Sequence, residues 1–344
     1  MEPPAQADAV LSDRAFLLRE AMKLGYGKDA FGHPRWHRPF AGMRSKQPRA
    51  RTLHGRALQY LPRLRPGEHF SHATALAVLG CPIRVPKNAP VDVSSPAGIG
   101  RVTCRGVLGH RHVHATAPFL CAVPETDDPV PTVSSLRAVQ QSAGSLPFVE
   151  LVVALDHLLR DDDRRFDPFT RVHPDELAAF AATTTGRGAR RFRAAAALAR
   201  VGAESRMETL MRLAGVRVGM PELRLQADLY DAAGTWIGRF DAADDETRSI
   251  FEYDGEQHFS SPRQRRRDPR KHQAARDAGW RLLVFFHEDL IESLADAGRR
   301  MLEFSGRTAR PVRPMIESLL DERSGDDTES ATPYRSARDR GVDG

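Results

Sequence analysis

The stretch of sequence that decides the fold of this chain reads Arg239-Phe240-Asp241 and, after ten further residues, Glu252-Tyr253-Asp254-Gly255. Apolar and polar residues alternate around it, which is typical of two β-strands joined by a polar turn. Side chains alternate along a strand, so Glu252 and Asp254 share one face, as do Arg239 and Asp241 on the neighbouring strand. The pattern predicts a hairpin in which acidic groups from two strands meet and could hold a hard divalent cation.

Hydrophobic periodicity extends this hairpin into a larger unit of α/β (α+β) class. We expect a helix from Glu204 to Ala214, because its apolar residues recur every three or four positions. The segments expected after it are strands over Leu223 to Tyr230, Thr235 to Asp241 and Ser249 to Asp254, a basic helix over Pro262 to Ala278, a buried strand over Trp280 to Phe286 and a helix over His287 to Phe304. The predicted order is helix, three strands, helix, strand and helix.

This order, with its acidic hairpin, resembles the restriction-endonuclease-like PD-(D/E)XK superfamily. More narrowly, it is similar to the small nuclease-like domain related to very-short-patch repair endonucleases. The matching pieces are the Glu-Tyr-Asp-Gly-x-x-His run at 252–258, the arginine-rich helix and the Gly-Trp-Arg run at 279–281. The resemblance covers about residues 201 to 304.

The resemblance implies metal-dependent hydrolysis of phosphodiester bonds in DNA. Asp241 and Glu252 would be carboxylate ligands of a Mg²⁺ (or Mn²⁺) ion, and Glu208, on the preceding helix, would be a further acidic ligand. Mg²⁺ activates a water molecule and neutralises charge on the scissile phosphate. Asp254 would belong to the catalytic set, and His258 could act as a general acid or base near neutral pH.

One position departs from the superfamily pattern. The third motif residue is usually lysine, which orients water and neutralises charge, whereas here it is Asp254. The narrower family does carry aspartate at this place. Either another residue supplies the positive charge or the mechanism differs, and the candidate residues are His258, Arg266, Arg267 and Lys271. The plainer alternative is that Asp254 only forms the turn before Gly255.

The segment from Arg263 to Lys271 is strongly basic, with six positive residues against one negative residue, Asp268. This density of charge suits phosphate binding and would steer nucleic acid towards the hairpin. The residues expected to bind nucleic acid are Arg265, Arg266, Arg267, Arg270 and Lys271. Two alternatives stay open: a solvated helix face, or a helix that begins only at Asp268, before Pro269, with the arginines in a loop.

The first half of the chain carries weaker signals. In residues 1–50 we expect a helix from Ser12 to Leu24, and the run from Trp36 to Arg44 resembles the wing of a small winged-helix unit that binds DNA. Residues 51–165 resemble the AbiEi-like antitoxin domain of bacterial toxin–antitoxin and phage-defence systems. The segments that carry this second resemblance are Phe70 to Ala75, with Ser71 as the expected helix cap, Leu79 to Pro82, Val91 to Ser94, Gly106 to Arg111 and a closing helix from Val152 to Leu159. It implies binding and regulation rather than catalysis.

The expected layout is therefore modular. Its parts are a winged-helix-like segment (1–50), the AbiEi-like domain (51–165), a connecting segment and helix (166–200), the nuclease-like domain (201–305) and a disordered tail (306–344). The tail is expected to be disordered because it has few large apolar residues to bury.

Three alternating histidines, His110, His112 and His114, would share one face of a strand. Three imidazoles on one face could bind a transition metal, although an exposed polar strand explains the run equally well. We expect His72 to be a packed or hydrogen-bonded histidine rather than a catalyst.

Composition excludes some classes of protein. No run of about 18 apolar residues is present, so we expect no membrane span. The N-terminus lacks a basic and then apolar signal, and the three cysteines form no Cys-x-x-Cys pair, so we expect a reducing cytoplasm and neither a zinc site nor a disulfide framework. The net charge of +6 is compatible with nucleic acid as a partner.

The leading hypothesis is a metal-dependent endonuclease that acts on DNA in defence, repair or a toxin–antitoxin context. The alternative is a non-catalytic DNA-binding regulator or antitoxin with an idle nuclease fold, which the missing lysine favours. RNA stays open as a partner, because basic residues bind the phosphates of both polymers. A homodimer and a toxin or antitoxin partner also stay open.

Overall fold

The computed structural model describes residues 15–111, 118–160, 170–255 and 264–322, and of residues 264–268 only the backbone. Several residues singled out in the sequence lie outside the described residues: Ser12, His112, His114, His258 and Arg263. The side chains of Arg265, Arg266 and Arg267 are likewise not described.

The chain is a mixed α/β protein with two compact units. The described residues of 15–81 and 85–142 form the first unit, and those of 82–84 and 143–322 form the second. The first unit therefore ends before the helix that was expected to close the AbiEi-like region 51–165. That helix belongs to the second unit, because its buried acidic residues pair with arginines there.

The first unit contains a six-stranded mixed sheet with helices packed on it. Its elements are β1 (Phe16–Leu17), α1 (Leu18–Lys23), β2 (Met43–Arg44), α2 (Leu53–Tyr60), β3 (His69–Phe70), α3 (His72–Val78), β4 (Val91–Ser95), β5 (Thr103–Cys104), β6 (Val107–Arg111), β7 (Phe119–Cys121), β8 (Val130–Thr132) and α4 (Ser135–Ser142). The strand order in the sheet is β5-β6-β4-β3-β8-β7. Strand β4 is parallel to β6 and antiparallel to β3.

The start of the first unit is a small aromatic cluster rather than a visible recognition helix. Strands β1 and β2 form a two-stranded ladder, and Phe16, Phe31 and Trp36 pack edge to face with ring centroids 5.4 to 5.5 Å apart. Within the described part of residues 1–50, the place of a second helix is taken by a single 3₁₀ turn, Lys28–Phe31. A winged-helix identity therefore stays a prediction.

The second unit begins with four helices. They are α5 (Phe148–Leu158), α6 (Pro174–Thr183), α7 (Ala189–Leu198) and α8 (Arg206–Arg217). The segment expected to be a connection with one helix, residues 166–200, thus holds α6 and α7. Phe180 of α6 and Phe192 of α7 pack edge to face with centroids 5.2 Å apart, which is why these short helices hold together.

Helix α5 is buried along nearly its whole length, and two of its residues are acidic. Glu150 pairs with Arg206 of α8 at 2.7 Å, and Asp156 pairs with Arg212 of α8 at 2.7 Å. All four side chains are at most 7% exposed. Asp156 also accepts a hydrogen bond from the Thr209 hydroxyl at 2.9 Å. A buried charge that loses its partner is costly, so these pairs fix how α8 lies on α5.

The four-stranded sheet of the second unit follows α8. Its strands and the helices after them are β9 (Arg224–Tyr230), β10 (Trp236–Asp244), β11 (Ser249–Tyr253), α9 (Gln264–Asp277), β12 (Arg281–Phe285), α10 (His287–Glu292), α11 (Leu294–Ser305) and α12 (Pro314–Leu320). The order in the sheet is β12-β11-β10-β9, with β12 parallel to β11 and the other pairs antiparallel. The order helix, three strands, helix, strand and helix is present.

This sheet is covered on both faces. Ile250 of β11 packs in a core cluster with Ala275 of α9, whereas the next residue, Phe251, packs edge to face on Phe304 of α11. Because successive side chains of a strand point to opposite faces, α9 and α11 cover opposite sides of the sheet. Glu252 follows Phe251 and so returns to the α9 side.

Two details of the predicted helices differ in the structure. Pro269 lies inside α9, which already begins at Gln264, so the alternative of a helix start at Asp268 with the arginines in a loop is wrong. The helix expected from His287 to Phe304 is interrupted at Ser293, whose extended backbone ends α10 and whose hydroxyl caps α11. Serine competes for backbone hydrogen bonds and so favours caps over helix interiors.

The first part of the expected disordered tail is ordered. In residues 306–322, Arg307 bonds Asp244 at 2.6 and 2.7 Å, and α12 is held by Arg217, which bonds Asp321 at 2.7 Å. Ion pairs and a short apolar stripe, rather than a core of its own, fix this segment to the second unit. Residues 323–344 lie outside the described residues.

In the part of the chain that the structure describes, no helix combines the length and the apolar character needed to cross a membrane.

We predict that Asp156→Ala lowers the free energy of unfolding by about 3 to 5 kcal/mol, because it leaves Arg212 buried without its partner. The control is Glu222→Ala, which removes an exposed partner of Arg200 and should cost less than about 1 kcal/mol. Urea unfolding followed by circular dichroism measures both. Equal losses in the two variants would contradict the structural role of the buried pair.

Candidate active site

Asp241 lies where the regular alternation of β10 breaks. Phe240 and Ala243 belong to the same core cluster, although residues three apart on a regular strand face opposite sides. At this point the side chain of Asp241 takes part in the strand pairing: its Oδ2 accepts a hydrogen bond from the backbone N–H of Tyr253 at 2.9 Å. An irregularity of this kind redirects a side chain, as is common beside active sites.

Glu252 lies on β11 and is 9% exposed. Both of its carboxylate oxygens are bonded to side chains of α9. Oε1 accepts from Lys271 Nζ in a short contact, and Oε2 accepts from His272 Nε2 at 2.6 Å. Glu252 is therefore oriented by two donors that come from one turn of one helix.

Lys271 reaches Glu252 by lying across β10. Its Nζ is 4.0 Å from the centroid of the Phe240 ring, a distance at which a cation is attracted to an aromatic face. Gly238 makes room for the stem, because a Cβ at that position would come within 2.9 Å of Lys271 Cγ. Lys271 can therefore place its ammonium group beside Glu252 only because residue 238 has no side chain.

Glu208 is presented from the first turn of α8, which is capped by Ser205. Its Oε2 accepts hydrogen bonds from Gln226 Nε2 and from the backbone N–H of Glu204, both at 2.8 Å. Gln226 has a φ of 46°, a strained conformation for a residue other than glycine. Strained backbone is common at functional sites, so the strain at Gln226 suggests that the position of Glu208, which Gln226 orients, matters for function.

The three carboxylates influence one another. Burial and then the nearby charge of Glu208, with a further contribution from Glu252, raise the pKa of Asp241 to about 8. Burial also raises the pKa of Glu208. Burial alone would raise the pKa of Glu252 as well, but its bonds to His272 and Lys271 hold that pKa below its ordinary value. Glu252 is consequently ionised at neutral pH, whereas Asp241 is largely protonated there.

The donor set fits a hard divalent cation. Carboxylate oxygens of Asp241 and Glu252 are the ligands that Mg²⁺ prefers, and Mg²⁺ in proteins often takes only one or two carboxylates and keeps several waters. In the described residues, Glu208, Asp241 and Glu252 do not form a group of three whose ligand atoms all lie within 4.8 Å of one another. Asp241 is influenced by the charges of both Glu208 and Glu252, so it is the carboxyl group that the other two have in common.

The remaining residues predicted from the sequence divide into two sets. Asp254 is exposed just beyond the end of β11, where its backbone N–H donates to the Phe285 carbonyl at 2.9 Å. Arg270 is exposed on α9 beside Lys271. His258 and the side chains of Arg265, Arg266 and Arg267 are not described, so their roles stay predictions.

Two residues of the site escaped the sequence reasoning, His272 and Gln226. His272 could have been found from helix periodicity, because Ala275 is the apolar residue that α9 buries against the sheet, and residues three and four positions before it share its face. Gln226 carries no such signal, since its strained backbone arises only from packing.

The raised pKa predicts a pH dependence of stability. With a pKa of about 8 in the folded chain and about 4 in the unfolded chain, Asp241 contributes most below pH 4. Its contribution is then lost as the pH rises towards 8, at up to about 1.4 kcal/mol per pH unit. Asp241→Asn should flatten this slope between pH 5.5 and 8, measured by urea unfolding in EDTA. An unchanged slope would show that another group is responsible.

No protein-family model, curated protein or solved structure matches this chain.

Proposed function

We propose that the second unit is a metal-dependent endonuclease that hydrolyses phosphodiester bonds in DNA. The observation that carries this proposal is the set of charges around Asp241. Carboxylates from α8, β10 and β11 act on one another there, and an ammonium group from α9 lies against one of them. Burial penalises the charged forms of these carboxyl groups, and a bound divalent ion would favour their ionised forms.

The chain's own residues have distinct tasks in this proposal. Asp241 and Glu252 would hold Mg²⁺ (or Mn²⁺), which when bound supplies a nucleophilic water and neutralises charge on the phosphate. Lys271 replaces the motif lysine that Asp254 does not provide, and its ammonium group is placed to stabilise negative charge beside Glu252. Arg270 and the basic segment before it steer the DNA backbone towards the sheet.

The element order and the position of the acidic pair on the two central strands support the resemblance to the PD-(D/E)XK superfamily. We also propose that residues 51–165 are AbiEi-like and that they serve in binding or regulation. DNA is the proposed substrate because the basic segment 263–271 follows the hairpin of Asp241 and Glu252 in the chain and ends at Lys271 of the site.

A second candidate function rests on a specific observation. Both oxygens of Glu252 are already bonded to Lys271 and His272, so Glu252 is a neutralised carboxylate as well as a candidate metal ligand. A site that remains in this state would belong to a DNA-binding regulator with an idle nuclease fold. The cleavage experiment below distinguishes the two.

We predict that the purified full-length chain nicks or cuts supercoiled DNA with Mg²⁺ or Mn²⁺ and not with EDTA. Asp241→Asn and Glu252→Gln should each lower the cleavage rate by at least about 100-fold, because each removes a metal ligand. Gel electrophoresis measures cleavage, and a filter-binding assay measures the affinity for the same DNA.

The matched control for this experiment is Asp245→Asn, which changes an exposed carboxylate in the turn of the same hairpin, where it pairs with Arg224. Its cleavage rate should equal that of the unaltered chain. DNA binding without cleavage in the unaltered chain would establish the regulator, and cleavage that persists in both site variants would place catalysis elsewhere.

We further predict that Lys271→Met lowers the cleavage rate by about 100-fold or more, since it removes a charged donor from the transition state. Lys271→Arg should restore part of the rate, because it keeps the charge. Arg276→Gln, which removes an exposed charge from the last turn of the same helix, is the control for a general loss of DNA affinity. A lower affinity for DNA with an unchanged rate at saturation in Lys271→Met would assign this residue to binding alone.

A further inference from the structure

A second cluster of chemically active side chains lies in the first unit, apart from the proposed nuclease site. It consists of His72 at the start of α3, Asp92 on β4 and His110 on β6. Each offers one ligand atom, and these atoms all lie within 4.8 Å of one another. Among the described residues, one group of three histidine, cysteine or acidic side chains has this spacing, and it is this one.

The topology of the sheet brings the three residues together. His110 pairs in register with Ser94 of the parallel strand β4, so it is a diagonal neighbour of Asp92, two residues away on the same face. Strand β3 lies on the other side of β4, with Phe70 paired to Val93, and the chain leaves β3 directly into His72. Three adjacent strands thus deliver two imidazoles and one carboxylate to one place.

The ligands are oriented by a further set of contacts. Asp92 is 4% exposed, and its Oδ2 accepts from the Thr74 hydroxyl at 3.3 Å while its Oδ1 bonds His110 Nε2 at 2.8 Å. His72 Nδ1 lies 3.0 Å from the Ser71 hydroxyl, which orients the ring. Thr74 and Ser71 orient a carboxylate and an imidazole, as groups around metal ligands commonly do, whereas the Asp92–His110 bond joins two of the three residues of the cluster.

Ser71 is therefore used differently from the role expected for it. It occupies the N-cap position of α3, but its side chain makes no capping hydrogen bond and instead contacts His72. The backbone of His72 has a φ of 51°, a conformation that residues other than glycine adopt at a cost. The strained backbone of His72 and the missing capping bond of Ser71 both place the His72 ring at the expense of a regular helix start. Such strain is common where a side chain has a functional position.

From these contacts we propose that His72, Asp92 and His110 form a binding site for a divalent transition metal of the Zn²⁺ kind. Two imidazoles and a carboxylate are the donors that Zn²⁺ takes, with water at a fourth position, and they do not suit Mg²⁺. Zn²⁺ bonds of about 2.0 to 2.1 Å at the tetrahedral angle separate ligand atoms by about 3.3 Å. The ligand atoms here lie within 4.8 Å of one another, so binding closes some of these separations by up to about 1.5 Å.

One rearrangement accompanies binding. The rings of His72 and His110 stack with centroids 3.8 Å apart and planes 20° from parallel, whereas a metal lies in the plane of each ring that binds it. One ring must therefore turn out of the stack. The bound ion then ties α3, β4 and β6 together and stabilises the first unit. Of the three alternating histidines in the sequence, His110 lies in the cluster, and His112 and His114 lie outside the described residues.

The test uses the untagged full-length chain carrying Asp241→Asn and Glu252→Gln, so that the proposed nuclease site does not take up metal. After treatment with EDTA and dialysis, isothermal titration calorimetry with Zn²⁺ should give one equivalent, and Co²⁺ should give the visible absorption of a four-coordinate ion. Saturation with Zn²⁺ should raise the Tm by roughly 5 °C or more at 100-fold excess over Kd.

Adding His110→Gln or His72→Gln should weaken Zn²⁺ binding by at least 10-fold and abolish the Tm shift, while circular dichroism reports whether each variant is folded. His72→Gln changes a half-buried residue at a helix start, so it remains informative if His110→Gln does not fold. The control is His37→Gln, an exposed histidine of the same unit, which should bind as before. Failure of the starting protein to bind Zn²⁺, or equal binding in all three histidine variants, would overturn the proposal, whatever the outcome of the DNA cleavage assay.

Discussion

The second unit depends on two carboxylates that the chain buries in α5 and must neutralise. Glu150 and Asp156 meet Arg206 and Arg212 of α8, and because these arginines are six residues apart, the two pairs together fix both the position and the rotation of that helix. Glu208 lies between them, so its direction towards β10 follows from the same contacts. A buried charge is stable only where its partner lies close to it. The two buried ion pairs therefore also fix the position of Glu208 in the candidate site.

The charges of the site differ in a way that suits reversible binding of a cation. Glu252 is kept ionised by Lys271 and His272, whereas Asp241, near Glu208 and partly shielded from water, has its pKa raised to about 8. Two carboxyl groups whose pKa values are pushed apart have different tasks. Binding of a divalent ion at this place would release the proton of Asp241, so affinity for the ion rises with pH.

Much of the frame was predictable from sequence, because it rests on local pattern. The alternation of apolar and polar residues places the hairpin of Asp241 and Glu252 and the helices around it. What sequence did not supply depends on contacts between distant segments. The strained backbone of Gln226 and the cluster of His72 with Asp92 and His110 arise only when separate strands pack together. The order of residues 306–322 depends likewise on ion pairs with β10 and with the helices α7 and α8, so composition alone suggested disorder.

In the proposed nuclease, the position of the Lys271 ammonium group would compensate for the lysine that the strand lacks. A lysine two residues after Glu252 would lie on the same face of β11, but that strand ends at Tyr253 and Asp254 is exposed beyond it. Helix α9 covers the face to which Glu252 points, and a side chain four carbons long from Lys271 spans the distance over Gly238 and the Phe240 ring. The positive charge thus reaches Glu252 from helix α9 instead of from strand β11. Gly238 leaves room for the Lys271 side chain, and the Phe240 ring contacts its ammonium group.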